Sequence, residues 1–362
     1  MSDLNINNIT DRTGSSGPVI AGVSTVSSTG AFTVPVGPTE MRGGRGRGLI
    51  GGGGYPSGVT GVDYIEIATT GNGNDFGDLL TGDYGRASFS SSIRGVVGGG
   101  AGGSITNAIE YNIISSQGGS HDFGDLNIGK RFMNATGNNS RGTWMGGSSP
   151  SSPNGTRWGY GITIQYNEIA TTGNAMDFGD MTEARSHNPS LSSPTRGITA
   201  GDQGFSPSGS TDGTGATSKS IEFITFATRG NGTLFGELTS SASDEIRAGA
   251  SCSSNTRGVF AGSNPGNPSP ANVSNVIEYI TIATLGNSID FGDLLAACTS
   301  PIGTSNNVRG VFAGGYISPA EINTIQYITI ATTGDASDFG DLVNAKGYIP
   351  VALSDSHGGI GD

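Results

Sequence analysis

Charged residues, cysteines and long apolar runs are all scarce in this chain of 362 residues. Only 13% of the residues are charged, and no apolar run approaches the roughly 18 residues that a membrane-spanning helix needs. Two cysteines, Cys252 and Cys298, are too few for a disulfide framework, which predicts free structural thiols. The opening residues MSDLNINNIT have neither the basic nor the apolar region of a signal peptide. We therefore expect no membrane insertion.

Basic residues are also few. The chain has 18 Lys and Arg against 30 Asp and Glu, which gives a formal net charge of -12. Such a charge argues against a nucleic-acid-binding surface. The local stretch RGGRGRG, residues 42–48, is similar to an RNA-binding box. Its last Arg-Gly pair belongs to a repeat that covers about residues 42–362, so we expect no nucleic-acid partner.

The most informative feature of the sequence is one phrase that occurs six times. IEYITIATLGNSIDFGDLL, residues 277–295, is nearly repeated by VDYIEIATTGNGNDFGDLL, residues 62–80. Each unit contains an Arg-Gly, an apolar strand, an aromatic phrase and a Phe-Gly. The Arg positions are Arg47, Arg94, Arg141, Arg196, Arg257 and Arg309. The aromatic positions are Tyr64, Tyr111, Tyr166, Phe223, Tyr279 and Tyr327. The Phe positions are Phe76, Phe123, Phe178, Phe235, Phe291 and Phe339.

The apolar runs of the repeat predict strands rather than helices. RGVFAGG and IEYITIAT are short, rich in β-branched and aromatic residues, and bounded by turn formers such as the abundant glycine. IEYITIAT carries apolar residues on both of its alternating faces, which predicts a sheet packed between two others. Units of roughly 50 residues built from such strands are typical of a β-propeller.

The C-terminal residues GYIPVALSDS supply one further first strand, whereas unit 1 has no convincing first strand of its own. The C-terminal strand is therefore predicted to complete the first blade and to remove the exposed sheet edge. The interpretation is an all-β chain with a short extended N-terminal arm, residues 1–41, and a six-bladed propeller, residues 42–362.

The order Arg, GVFAGG, IEYITIAT and DFGDL resembles the Kelch repeat, in which a double glycine closes the second strand and aromatics occupy the third and fourth. Three units depart from it, with MGGS, AGDQ and AGSN at the double glycine. The phrase also looks like repeats of virion proteins of tailed phages, particularly those that infect marine cyanobacteria. The opening NNITDRTGSSGPVIAGVSTVSS resembles N-terminal arms of structural proteins from the same phages.

These resemblances imply a virion accessory protein, such as a fibre, tail or capsid decoration component. The arm would fasten to another virion protein, and the propeller would be displayed outward to contact a host glycan or surface protein. A propeller hydrolase acting on polysaccharide and a purely architectural virion part are the alternatives. No enzymatic activity is predicted, because no Ser/His/Asp constellation or carboxylate pair stands out among the repeats.

The repeated polar residues have structural interpretations. The acidic pairs of the DFGD phrase could bind calcium, but we interpret them as turn residues whose side chains bond nearby backbone N–H groups. No cofactor or metal is therefore predicted. The repeated Arg is expected to connect adjacent blades. The three histidines, His121, His187 and His357, occupy unrelated repeat positions and predict no zinc site.

Length variation indicates where recognition would reside. The spacing from the aromatic to the Phe is always 12 residues, whereas the spacing from the Arg to the aromatic ranges from 17 to 27. The variable loops between second and third strands should emerge on one face, and long loops on a rigid scaffold are where binding usually occurs. Aromatics within or beside these loops are the candidate ligand or partner contacts: Tyr55, Trp158, Tyr160, Phe205 and Tyr316.

Overall fold

A computed structural model describes residues 46–54, 58–149, 159–201, 219–239, 249–263, 273–347 and 350–360. Every regular element over these ranges is a β-strand, and none of the described segments forms a helix long and apolar enough to cross a membrane. The predicted N-terminal arm, residues 1–41, lies outside the described residues. Strands are numbered β1 to β28 in chain order.

Twenty-four of the strands form six antiparallel sheets of four. Blade 1 contains β28 (Val351–Ser354), β1 (Arg47–Gly51), β2 (Gly61–Glu66) and β3 (Asn74–Asp78). Blade 2 contains β4 (Ala87–Ser90), β5 (Arg94–Gly98), β6 (Ala108–Ile113) and β7 (His121–Asp125). Blade 3 contains β8 (Asn134–Gly137), β9 (Arg141–Met145), β12 (Thr163–Glu168) and β13 (Met176–Asp180).

The second half of the chain repeats this arrangement. Blade 4 contains β14 (Ser190–Ser192), β15 (Arg196–Ala200), β16 (Ser220–Thr225) and β17 (Thr233–Glu237). Blade 5 contains β18 (Ala250–Ser253), β19 (Arg257–Ser263), β20 (Ser274–Thr281) and β21 (Ile289–Asp293). Blade 6 contains β22 (Ile302–Ser305), β23 (Arg309–Ala313), β26 (Thr324–Thr329) and β27 (Ser337–Asp341). Two short hairpins lie in second-to-third-strand loops: β10 (Ser148–Ser149) with β11 (Gly159–Tyr160), and β24 (Tyr316–Ile317) with β25 (Ala320–Glu321).

The six sheets form a closed ring. The first strand of each blade contacts the first strands of both neighbours, in the cyclic order β28, β4, β8, β14, β18 and β22. β28, the last strand of the chain, pairs antiparallel with β1. The predicted six-bladed propeller, closed by the C-terminal strand, is confirmed.

Burial follows the position of each strand in its blade. The second strand is buried along almost its whole length, as in β1 and β5, because blades pack against it from both sides. The fourth strand buries mainly its Phe, which meets the third-strand aromatic edge to face, as in the Tyr279–Phe291 pair at 5.9 Å. Both cysteines are buried and free, as expected.

The repeated Arg connects adjacent blades, as the sequence predicts. Each guanidinium lies 4.2–4.8 Å from the ring centroid of the aromatic on the third strand of its own blade. Its Nη1 donates to a backbone carbonyl of the next blade at 2.5–3.2 Å. Arg309 closes this series by donating to the Ile67 carbonyl of blade 1 at 3.0 Å.

The DFGD phrase, which is LFGE in blade 4, forms the outermost strand of each blade, so its interpretation as a turn was wrong. In blade 1 both of its aspartates are exposed on β3, and Asp78 Oδ1 accepts from the Thr60 hydroxyl at 2.9 Å. Backbone hydrogen bonds join this strand to the third-to-fourth-strand loop of the next blade. For example, Gly118 N donates to Phe76 O at 2.9 Å. The sequence pattern was regular because every blade needs this inter-blade contact. Gly77 is required there, since its φ is +143° and a Cβ would lie 2.5 Å from the Gly118 carbonyl oxygen.

Candidate binding face

One end of the propeller combines the variable loops with the connections between blades. In this loop face, the second-to-third-strand loops contact the connections from a fourth strand to the next first strand. Gly100 N donates to Lys130 O at 2.8 Å, and Gly315 N donates to Lys346 O at 2.7 Å. The predicted clustering of the variable loops on one side is therefore visible in the residues that the structure describes.

The structure covers only part of the predicted contact residues. Tyr55, Trp158 and Phe205 lie outside the described residues. For Tyr160 only the backbone is described, where β11 pairs with β10 opposite Ser148. Tyr316 is half-buried in β24, and its backbone bridges to Thr299 in the connection that enters blade 6.

A cavity of about 100 Å³ opens at the centre of the loop face, where the first strands of the blades begin. Its lining includes residues from every blade, among them Arg86, Phe132, His187, Asn188 and Ser300. Ser300 follows Thr299, the backbone partner of Tyr316. The β24 hairpin is therefore brought to the rim of this mouth, as the predicted loop arrangement requires.

Two stacked rings form one side of the mouth. The Phe132 and His187 ring centroids lie 3.7 Å apart with an interplanar angle of 25°. Both residues have a left-handed backbone, with φ of 56° and 62°, which costs a residue with a Cβ about 1 kcal/mol or more. Gly85 occupies the corresponding position in blade 2 with φ of 66°. The backbone shape is thus a property of the repeat, and blades 3 and 4 place large rings where glycine would suffice.

Polar groups surround these rings. The Arg131 guanidinium lies 4.8 Å from the Phe132 centroid and donates to the Tyr84 hydroxyl at 3.1 Å. Tyr84 itself lies 6.0 Å from Phe132, ring to ring. The arc Tyr84–Phe132–His187, with Arg131 beside it, is therefore an aromatic rim carrying hydroxyl, guanidinium and imidazole groups. Such a rim suits stacking of a ligand that also forms hydrogen bonds.

The arc was not predicted from the sequence, because the candidate contacts were chosen from the variable loops. Phe132 and His187 lie in connections between blades, whose length hardly varies. Alignment of blades 2, 3, 4 and 6 at this position gives Gly85, Phe132, His187 and Ser300. The two rings, where blades 2 and 6 have Gly and Ser, were a signal that could have been used.

Two buried carboxylates, Glu110 and Asp63, have structural partners. Arg86 and Glu110 form a buried ion pair, and Glu110 Oε2 also accepts from Leu80 N at 2.6 Å. Desolvation raises the pKa of Asp63, although Lys346 Nζ lies 3.5 Å away and opposes the rise. Within the described ranges no group of three or more His, Cys, Asp or Glu is placed to hold a metal ion. The mouth is thus lined by the rings of Phe132 and His187 and the amides of Asn134 and Asn188.

A second cavity of about 70 Å³ continues below the mouth, along the central channel. Serine hydroxyls line it, including Ser90, Ser192 and Ser253. These hydroxyls donate to backbone carbonyls of the neighbouring first strand: Ser90 to Ser354, Ser192 to Gly137, and Ser253 to Ser192, each at 2.7 Å. His357 lies at the far end, so the mouth leads into a polar, blind channel.

A scan against models of known protein families finds no match, and a search of curated proteins finds no similar sequence. The propeller fold therefore rests on the geometry of the chain itself.

Proposed function

We propose that this chain is a recognition module of a phage virion, which binds a partner such as a host-surface glycan at the mouth of its loop face. The observation that carries the binding role is the arc Tyr84–Phe132–His187. Two of its rings occupy left-handed backbone positions, where they add strain rather than stability. Strain of this kind collects at functional sites.

The rest of the repeat supports a binding role by elimination. The repeated Arg side chains bond neighbouring blades, and the repeated Phe side chains fill the spaces between sheets. Those residues serve the scaffold, so their sixfold occurrence implies no sixfold site. Among the described residues, in contrast, the arc occurs once, and its Phe132 and His187 line a cavity.

Assignment to a virion is supported by the resemblance of the repeated phrase and of residues 7–28 to structural proteins of tailed phages. Attachment through the arm has a direct test, which is a chain lacking residues 1–40. Its propeller should fold with an unchanged melting temperature, and its incorporation into particles should be lost. Normal incorporation would contradict the anchoring role.

The binding role is tested by Phe132→Gly and His187→Gly, since glycine is native at the corresponding position of blade 2. Glycine adopts a left-handed backbone without strain, so neither variant introduces backbone strain that would lower stability. Binding to host cells or to isolated surface glycan should weaken by 10- to 100-fold, the loss typical of one stacking ring at about 1–3 kcal/mol.

The matched control is Ile93→Ser. Ile93 is 61% exposed in the turn between β4 and β5, at the opposite end of the blade, and should leave binding unchanged. The Trp158→Ala, Tyr160→Ala variant tests the predicted loop contacts in the same assay. Oligosaccharide released by the wild-type protein would show a hydrolase instead. Unchanged binding in the glycine variants, with the loop face buried in particles, would favour a purely architectural part.

A further inference from the structure

The residues after β28 do not leave the propeller but cross the end of the central channel opposite the mouth. This C-terminal tail, residues 355–360, is placed by contacts with several blades. Gly358 N donates to Ser253 O in blade 5 at 3.1 Å, and His357 Nε2 lies 3.0 Å from Ser90 O in blade 2. A Cβ on Gly359 would lie 2.1 Å from Gly137 O in blade 3. Only glycine fits there, so the sequence is adapted to a filled channel end.

His357 occupies a gap in the serine ring. At the last residue of the first strand, a serine hydroxyl usually donates to the carbonyl of the preceding blade, as Ser305 does to Ser253 O at 2.8 Å. Blade 3 has Gly137 at this position and cannot supply that hydroxyl to Ser90 O. The His357 ring supplies the missing donor from the tail.

The hydrogen bonds of His357 fix its protonation state. Ser90 O is a carbonyl, so Nε2 must carry the proton that it donates. Gly359 N donates to Nδ1 at 3.0 Å, so Nδ1 must be unprotonated. A second proton on Nδ1 would place two N–H groups against each other. The docked tail therefore accepts only the neutral imidazole.

We propose that the C-terminal tail is an acid-released latch, which closes the channel and holds the ring seam while His357 is neutral and withdraws when His357 is protonated. Withdrawal would turn the blind channel into one open at both ends. It would also loosen β28, the strand that closes the ring, because the tail follows β28 directly.

The surroundings of His357 support this assignment. The hydrogen-bond partners of its ring are Ser90, Ser192 and Gly359, all uncharged. Asp355 is the one ionisable group of the described tail besides His357, and its Oδ1 accepts from Gly46 N and Arg47 N at 2.9 Å each. Burial lowers the pKa of His357 from 6.5 to about 4, although the bond to Ser90 opposes this. His357 also lines the channel cavity.

The sign of the pH effect follows from these values. A released tail binds its proton near pH 6.5, whereas a docked tail binds it only near pH 4. Between these values acid favours release, and the docking equilibrium should fall by up to about tenfold for each pH unit. Above pH 6.5 docking should be independent of His357.

Hydrogen exchange of the full-length protein tests the latch. Amide protection of residues 355–360 should be high at pH 7 and largely lost at pH 4.5, after correction for intrinsic exchange rates, while second-strand amides stay protected. His357→Gln keeps a donor and an acceptor without a proton to gain, so its tail should stay protected at both pH values. Equal loss in this variant would assign the effect to Asp355 or to general acid unfolding and overturn the proposal.

A second measurement does not depend on the variant. The chain has three histidines, and His121→Gln and His187→Gln assign the remaining imidazole signal to His357 by NMR. That signal should titrate well below 6, together with the loss of tail protection. Titration near 6.5 with the tail still protected would show that the docked state tolerates the charged ring, and the latch would be excluded.

Discussion

Lys130 provides a sharp test of how this propeller balances its buried charges. The residue is 4% exposed in the connection that enters blade 3, and its Nζ donates to Thr163 Oγ1 at 3.1 Å. None of the described carboxylates forms an ion pair with it. Burial lowers the pKa of Lys130 from 10.5 to about 8, with the Asp180 carboxylate opposing the fall.

In blades 1 and 4 the buried cation is paired with a carboxylate. Lys346, at the repeat position of Lys130, lies 3.5 Å from Asp63, and Arg185 lies 3.7 Å from Glu222. In blade 3 the residue at the position of Asp63 and Glu222 is Gln165, which is neutral. Lys130 thus keeps its cation buried with a hydroxyl as its partner.

We expect Lys130→Met to stabilise the protein at pH 7. A fall in pKa from 10.5 to about 8 corresponds to a cost of about 3 kcal/mol for the buried cation. Loss of the hydrogen bond to Thr163 offsets about 1 kcal/mol of this gain, and the Met side chain fills the volume of the lysine stem. The net gain in the free energy of unfolding should be about 1–3 kcal/mol.

The pH dependence identifies the cause. Below pH 8 lysine is charged in both the folded and unfolded states, so the wild-type protein bears the full cost. Between pH 8 and 10.5 only the unfolded chain binds the proton, and the wild-type protein gains stability as the pH rises. Urea unfolding of both proteins at pH 7 and 9.5 should show the advantage of Lys130→Met shrinking by about 2 kcal/mol.

Two variants complete the experiment. Lys346→Met removes a cation that has an acid partner and leaves the buried Asp63 carboxylate unpaired, so it should destabilise by about 3 kcal/mol. Gln165→Glu places a carboxylate beside Lys130 and should flatten the pH dependence. Destabilisation by Lys130→Met at pH 7, or an advantage that does not change with pH, would refute the reasoning.

Three further predictions concern the ring. Arg196→Met removes a cation–π contact with Phe223 and hydrogen bonds to the next blade. It should lower the free energy of unfolding by about 1–3 kcal/mol in urea titrations. An unchanged urea midpoint would mean that these contacts do not contribute to stability. Gly77→Ala should cost about 2 kcal/mol or more, because it combines a disallowed backbone with a clash, whereas Gly103→Ala, with nothing within 4 Å, should be nearly neutral. Deleting residues 347–362 should expose the edge of β1 and cause aggregation with loss of cooperative melting; a soluble, cooperatively melting product would contradict the observed closure.

The fold was predictable because every blade repeats the same solution. The constant spacing of Arg, aromatic and Phe reports contacts that recur between each pair of blades, so a pattern visible in the sequence corresponds to a contact in space. The DFGD phrase shows that a regular pattern reveals a repeated contact but does not reveal the secondary structure that makes it. Its regularity revealed an inter-blade contact, but its acidic residues were mistaken for turn formers because composition does not distinguish a turn from an exposed edge strand.

The candidate site was harder to predict because it departs from the repeat. Phe132 and His187 become neighbours only when blades 3 and 4 pack side by side, and their positive φ follows from the shape of the connections. The tail is a similar case. Its sequence fits no repeat, and the gap at Gly137 that His357 fills becomes visible only when the first strands are arranged in a ring.

The seam between the chain ends is where these observations meet. In five blades the turn from first to second strand is continuous, and a side chain at its start accepts from the N–H of the repeated Arg, as Ser91 does from Arg94 at 3.0 Å. In blade 1 the turn is split between two distant segments, and Asp355 takes the place of Ser91 by accepting from Arg47 N at 2.9 Å. A carboxylate, when ionised, is a stronger hydrogen-bond acceptor than a hydroxyl. In blade 1 it lies at the one turn where the two strands are not joined by the chain. Because closing a break between residues 309 positions apart has a larger entropic cost than closing a short turn, opening of the ring should begin at this seam, where His357 loses its contacts upon protonation.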